Sequence, residues 1–201
     1  MYRYLAKSYN ELHKEEQIKK LEIIRKYIKI IPPLLDIGCG TGISTNYFNV
    51  ESFGIDNCKE MIKESNSKNL IYGNAEKLFF KDKTFNTIIS VTSFHNFKNM
   101  ERALIEIKRV SRNNNIAITF LKKSSKINKF RELLKKYFKF KEIDCYNDIL
   151  FLIFVSTKTK DNVKLISVRK NKSKIIKSDY YLIDKKLNSK TKLDIINSNI
   201  F

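Results

Sequence analysis

The segment Asp36-Ile37-Gly38-Cys39-Gly40-Thr41-Gly42 spaces three glycines two residues apart, directly after the apolar pair Leu34-Leu35. A backbone that leaves a buried strand, turns sharply and enters a helix needs dihedral angles that side chains forbid, and glycine supplies them. The flanking residues agree with that geometry. Leu34 to Ile37 reads as a short strand, and Thr41 to Phe48 as the helix that follows it. A ligand laid on such a turn meets bare backbone, and the helix start offers it free N–H groups and a partial positive charge. The spacing is G-x-G-x-G. Ile43 stands where a nicotinamide-binding G-x-G-x-x-G would carry its third glycine, and no Gly-Lys-Ser/Thr follows as in a P-loop.

The rest of the chain repeats the strand-then-helix theme. Ile18, Leu21, Ile24, Ile28 and Ile31 recur at helical spacing, which predicts an amphipathic helix over 11–31 with a charged outer face, stopped by Pro32-Pro33. Further strands are expected at 52–56, 70–72, 85–91 and 116–121. Helices are expected after Asn57, which with Glu60 has capping-box spacing, then around Met100 to Ile107 and Ile127 to Tyr137. The strands 140–145 and 149–155 close the pattern, with a turn at Asn147-Asp148. Alternation of this kind demands a mostly parallel sheet covered on both faces. The expected fold class is α/β: a Rossmann-like, doubly wound, mostly parallel seven-stranded sheet with one antiparallel strand. Ligands of such sheets sit beyond the carboxyl ends of the strands, where the strand order reverses.

Composition sets the outer bounds. The chain of 201 residues is 42% hydrophobic and carries a formal charge of +19. No apolar run approaches the roughly 18 residues of a membrane span, so the expectation is a soluble, cytoplasmic protein without a membrane partner. Cys39, Cys58 and Cys145 are far apart in the sequence, which argues against a disulfide framework and a zinc site and for small buried residues. The charge suits a polyanionic partner such as RNA. Lysine far outnumbers arginine, however, which also fits a codon bias toward Lys, Asn and Ile. The expected organisation is one domain over 1–156, its first 31 residues forming a helical lid, and a lysine-rich extension over 157–201 that contains no motif.

Asp56 ends the second strand, where a carboxylate can take hydrogen bonds from both hydroxyls of a ribose. Asn57 and Met61 would border the adjoining base, Met61 through a soft apolar contact.

In combination these segments resemble a class I S-adenosylmethionine-dependent methyltransferase of the type-11 family, over residues 2–156. Leu34 to Gly42 is similar to that family's first motif. Gly54-Ile55-Asp56 with Met61-Ile62 is similar to its second, and Gly73-Asn74-Ala75-Glu76 to its adenine-binding stretch. Glu106 to Val110 resembles the helix before its fifth strand, and Ala6-Lys7-Ser8-Tyr9 its N-terminal lid segment. The resemblance implies S-adenosyl-L-methionine as cofactor. It implies cofactor contacts from Tyr9, Asp36, Gly38, Cys39, Gly40, Gly42, Asp56, Asn57, Met61, Asn74, Ala75, Glu76 and Ser90.

Three positions depart from the family pattern. Asn74 and Asn86 replace usual aspartates, and Asn113-Asn114-Asn115 replaces a Pro-Gly-Gly turn, a place where asparagine tolerates left-handed dihedrals. Asn74 keeps a carbonyl acceptor for an adenine amino group. The stretch from Ser90 to Phe97 should face the transferred methyl. It is not the Asn-Pro-Pro-Tyr type and contains no cysteine nucleophile. His95 is the candidate catalytic base there, and Phe94 and Phe97 are candidates to stack a planar acceptor. An RNA acceptor (tRNA or rRNA), a small-molecule acceptor, an activating protein subunit and a non-catalytic cofactor-binding protein all fit these residues.

Overall fold

The structure is a computed structural model, and it describes residues 9–65 and 67–154, with side chains from His13 onward. The elements, in chain order, are α1 (Tyr9–Tyr27), β1 (Leu34–Ile37), α2 (Ile43–Tyr47), β2 (Ser52–Asp56), α3 (Lys59–Lys63), β3 (Leu70–Tyr72), β4 (Thr87–Ser90), a single 3-10 turn (Phe94–Asn96), α4 (Met100–Val110), β5 (Ile116–Leu121), α5 (Ile127–Tyr137), β6 (Phe140–Cys145) and β7 (Asp148–Ile153). The seven strands form one sheet in the order β3-β2-β1-β4-β5-β7-β6. All neighbouring pairs up to β4–β5 are parallel, and β7 alone runs against its neighbours β5 and β6. The order therefore reverses between β1 and β4, as a doubly wound sheet requires.

Two-residue periodicity divides each central strand between two cores. Leu35, Ile37, Ile88, Ile116, Ile118 and Phe151 face α4 and α5, where Leu104, Ile107, Phe130 and Leu134 are fully buried. Leu34, Ile89, Ala117, Leu150 and Leu152 face the other way and meet Leu21 and Ile24 of α1. The apolar positions of α4 and α5 recur every three or four residues, so each helix buries one stripe. Asn99 caps α4 by accepting the Arg102 N–H at 3.0 Å.

Several element boundaries differ from expectation for identifiable reasons. The first helix ends at Tyr27 rather than Ile31, because the Ile31 N–H and C=O both engage the Thr87 hydroxyl, at 2.8 and 2.9 Å. Asn57 does not cap α3. Cys58 occupies that position with no side-chain cap, and the Asp56 carboxylate accepts the Cys58 N–H instead, at 2.8 Å. The hairpin turns at Tyr146, which has φ 56°, so Asp148 belongs to β7 and is fully buried; Val155 lies outside the described residues. Asn114 does take the left-handed conformation expected of it, with φ 48°. The extension expected after residue 156 also lies outside the described residues. Among those described, no helix is long and apolar enough to cross a membrane.

Candidate cofactor site

The carboxyl ends of β1, β2 and β4 surround an open cleft of about 730 Å³. Its floor is the glycine loop. Gly38, Gly40 and Gly42 all have positive φ, at 73°, 55° and 87°. At two of these positions the neighbours explain the residue. A Cβ on Gly38 would stand 2.4 Å from Ser93 Cβ, and one on Gly42 would stand 2.9 Å from Leu70 Cδ1. The loop is held from above and below. Gly38 N–H donates to Ile55 C=O at 2.8 Å, while Ser90 and Ser93 donate to Ile37 C=O at 2.8 and 3.0 Å.

Asp56 lines the cleft and also organises it. One carboxylate oxygen accepts the Gly40 N–H at 2.9 Å and the other accepts the Cys58 N–H at 2.8 Å. Burial raises its pKa, opposed by those backbone donors. Each oxygen retains lone-pair capacity for a further donor. Met61, Ala75, Ile55 and Val91 bring apolar surface to the same cleft.

The expected contact residues divide into two groups. Gly38, Gly40, Asp56, Asn57, Met61, Asn74, Ala75 and Glu76 line the cleft together. Asp36, Cys39, Gly42 and Ser90 lie in the shell behind the lining, and all four are buried. Asp36 accepts the hydroxyls of Ser44 and Thr45, at 2.6 and 2.7 Å, and so ties α2 to β1. Burial dominates its titration and lifts the carboxyl to about 6. Burial likewise raises the Cys39 thiol, consistent with a small inert core residue. Tyr9 opens α1, and its side chain lies outside the described residues.

The Asn74 carbonyl accepts the Glu76 N–H at 2.8 Å, and Glu76 in turn accepts the Asn99 N–H at 2.8 Å, so this stretch braces the start of α4. The expectation had reserved that carbonyl for a base. One lone pair of it is engaged by this turn.

Residues 91–97 form the remaining wall. Val91, Thr92, Ser93, Asn96 and Phe97 reach the cleft. Phe94 does not: it is fully buried, 4.6 Å from Phe97 and 5.1 Å from Phe130 between ring centroids. His95 is also outside the lining. Its ring meets Phe120 edge-on at 6.0 Å, its Nδ1 is buried without a hydrogen-bond partner, and burial lowers its pKa against the pull of Asp148.

Sequence reasoning missed the polar group beneath this wall. Lys20 of α1 is 2% exposed although the helix is expected to carry its charges on an outer face, and Asp148 is wholly inaccessible. Lys20 Nζ lies 3.2 Å from Asp148 and 2.9 Å from the Thr92 hydroxyl, which donates to Asp148 at 2.6 Å. A signal existed, since Lys20 falls on the same helical stripe as Gln17 and Ile24.

The fold is a doubly wound α/β domain with an open cleft at its switch point. The cleft brings together bare loop backbone, the Asp56 carboxylate and apolar surface from Ile55, Met61, Ala75 and Val91. Residues 35–119 match the family described as "Methyltransferase domain". Over that stretch the chain is similar to this methyltransferase family, and S-adenosylmethionine is the cofactor that the similarity implies. Of curated proteins, an uncharacterized protein of Methanocaldococcus jannaschii is 41% identical over 122 residues, covering 58% of this chain and 48% of that one. The chain therefore spans about half the length of the curated relative it matches. Among solved structures, the chain is similar to a SAM-dependent methyltransferase from Aquifex aeolicus (17% identity, TM-score 0.64, 76% of this chain and 98% of that one). It is also similar to a chain from the Haloferax volcanii complex of the Trm112 methyltransferase activator with its candidate methyltransferase (12% identity, TM-score 0.63, 77% and 97%).

Proposed function

We propose that this chain is an enzyme that moves the methyl group of S-adenosylmethionine onto RNA, with tRNA and rRNA as the first acceptors to test. The observation that carries the choice of acceptor is at Phe97. This ring lines the cofactor cleft and also a neighbouring groove bordered by Lys98, Lys126 and Lys129. All three lysines are exposed, and the chain as a whole carries +19. A polyanion laid along that groove would bring a base to the mouth of the cleft, with its phosphates beside cations.

In this reading Asp56 holds the ribose, the backbone from Gly38 to Gly40 receives the amino-acid portion, and Met61 and Ala75 cover the adenine. Ser93, Asn96 and Phe97 orient the acceptor. The cofactor supplies an already activated sulfonium methyl, so the protein's task is mainly alignment, which is worth up to about 7–11 kcal/mol in favourable systems.

The test is transfer of labelled methyl from S-adenosylmethionine into fractionated cellular RNA, protein and metabolites. It should be run with the chain alone and with cell extract, because the Haloferax neighbour was solved with an activator. Label in RNA, lost on raising salt and reduced in Lys98→Glu/Lys129→Glu, supports the proposal. Label confined to small metabolites would replace it with a small-molecule methyltransferase. Cofactor binding without any transfer would leave a binding protein.

A further inference from the structure

Thr92 combines two unusual features. It is a β-branched residue at φ 52°, a backbone conformation that L side chains rarely adopt, and it forms part of the cleft wall just beyond β4. Every hydrogen-bonding group that surrounds it is buried. Its N–H donates to Thr119 Oγ1 at 2.8 Å, its hydroxyl donates to Asp148 at 2.6 Å, and it accepts from Lys20 at 2.9 Å. Lys20 and Asp148 form an ion pair at 3.2 Å, and Glu16 lies 2.8 Å from Lys20 on the solvent side. A buried ion pair is a poor source of net stability, because desolvating both charges offsets much of their attraction. This one joins α1 to β7, and it closes on the single strained residue of the cleft wall.

We infer that Lys20 and Asp148 are positioning residues: together they clamp the Thr92 hydroxyl, hold its backbone left-handed, and so fix the wall against which cofactor and acceptor align. The clamp reaches the cleft through Thr92 and touches no ligand. Its binding consequence rests on the cofactor reading above, whereas its effect on the wall does not.

The experiment uses the full chain carrying Lys20→Met, Asp148→Asn or Thr92→Val, and Asp148→Asn combined with Thr92→Gly. Two readouts are taken: amide hydrogen exchange over residues 91–97 without ligand, and calorimetric affinity for S-adenosylmethionine. Each single substitution should speed exchange in that segment by about tenfold and weaken cofactor binding by a similar factor. Glycine adopts the left-handed conformation freely, so in the Thr92→Gly background the added Asp148→Asn change should alter affinity less than about twofold. A merely stabilising pair would lower the melting temperature equally in both backgrounds and leave affinity alone; that result overturns the inference. Thr92→Val keeps both charges and the side-chain volume, so it decides the matter if a charge variant does not fold. If the parent chain binds no S-adenosylmethionine, the cofactor reading fails, and the exchange data alone decide the clamp: unchanged exchange in a folded variant refutes it.

Discussion

The Asp56 carboxylate accepts the Gly40 N–H at 2.9 Å, so the end of the second strand holds the glycine loop that it also faces across the cleft. One side chain thereby shapes the loop and presents its carboxylate to the cleft, where the proposed function has it hold the ribose. Asp56→Ala should lose both contributions. Hydrogen bonds to a charged group are worth about 1.5–3 kcal/mol, which corresponds to a roughly ten- to hundredfold weaker cofactor Kd. Calorimetry with S-adenosylmethionine reads this directly, and an unaltered Kd would remove Asp56 from the site.

Gly38→Ala should fail for a local steric reason. The new methyl would meet Ser93 at 2.4 Å, at a φ of 73° that alanine disfavours. The backbone strain alone should cost about 1–3 kcal/mol, read as a lower urea midpoint. A midpoint equal to that of the parent would mean that the loop and residue 93 do not pack as described.

Asp36 predicts a pH dependence. Its carboxyl rises from 3.8 to about 6 through burial, so between those values the folded chain binds a proton that the unfolded chain has released. This group's contribution to stability therefore falls as pH rises from about 4 to about 6 and is level above that. Asp36→Asn should remove this component. Thermal melts of both proteins across the window test it: a stability difference that does not change with pH would contradict the assignment.

His95 is expected to be dispensable for cofactor binding, because its ring packs on Phe120 and does not line the cleft. His95→Ala should bind S-adenosylmethionine within about twofold of the parent and transfer methyl within about tenfold, since base catalysis by such a group is typically worth 10²–10⁴-fold. A larger loss of turnover with intact binding would restore His95 to the role of base.

Much of the architecture could be read along the chain because it depends on local periodicity. The strand-turn-helix unit from Leu34 to Phe48, the paired Asp56 and Met61, and the left-handed Asn114 turn are each set by residues within a few positions of one another. The misplaced details are those in which a distant group competes for a local one. Ile31 looks helical until Thr87, far along the chain, takes both of its backbone polar groups. Asn57 looks like a cap until Asp56, already aimed at the loop, takes the N–H groups there. His95 and Phe94 both lie in the stretch expected to face the methyl, yet the 3-10 turn directs Phe94 into the core and sets His95 against Phe120.

From residue order alone followed the doubly wound class and the glycine loop at its switch point, because backbone dihedrals and strand period are short-range properties. Folding in three dimensions settled what lies behind the cleft. It inserted β7 between β5 and β6, and it thereby brought Asp148 against Lys20 and Thr92, residues separated by much of the chain. A charge on a helix stripe and a charge beside a turn each look solvated when read singly. Only their meeting, with Thr92 between them, makes burial of both tolerable, since neither could leave water without the other.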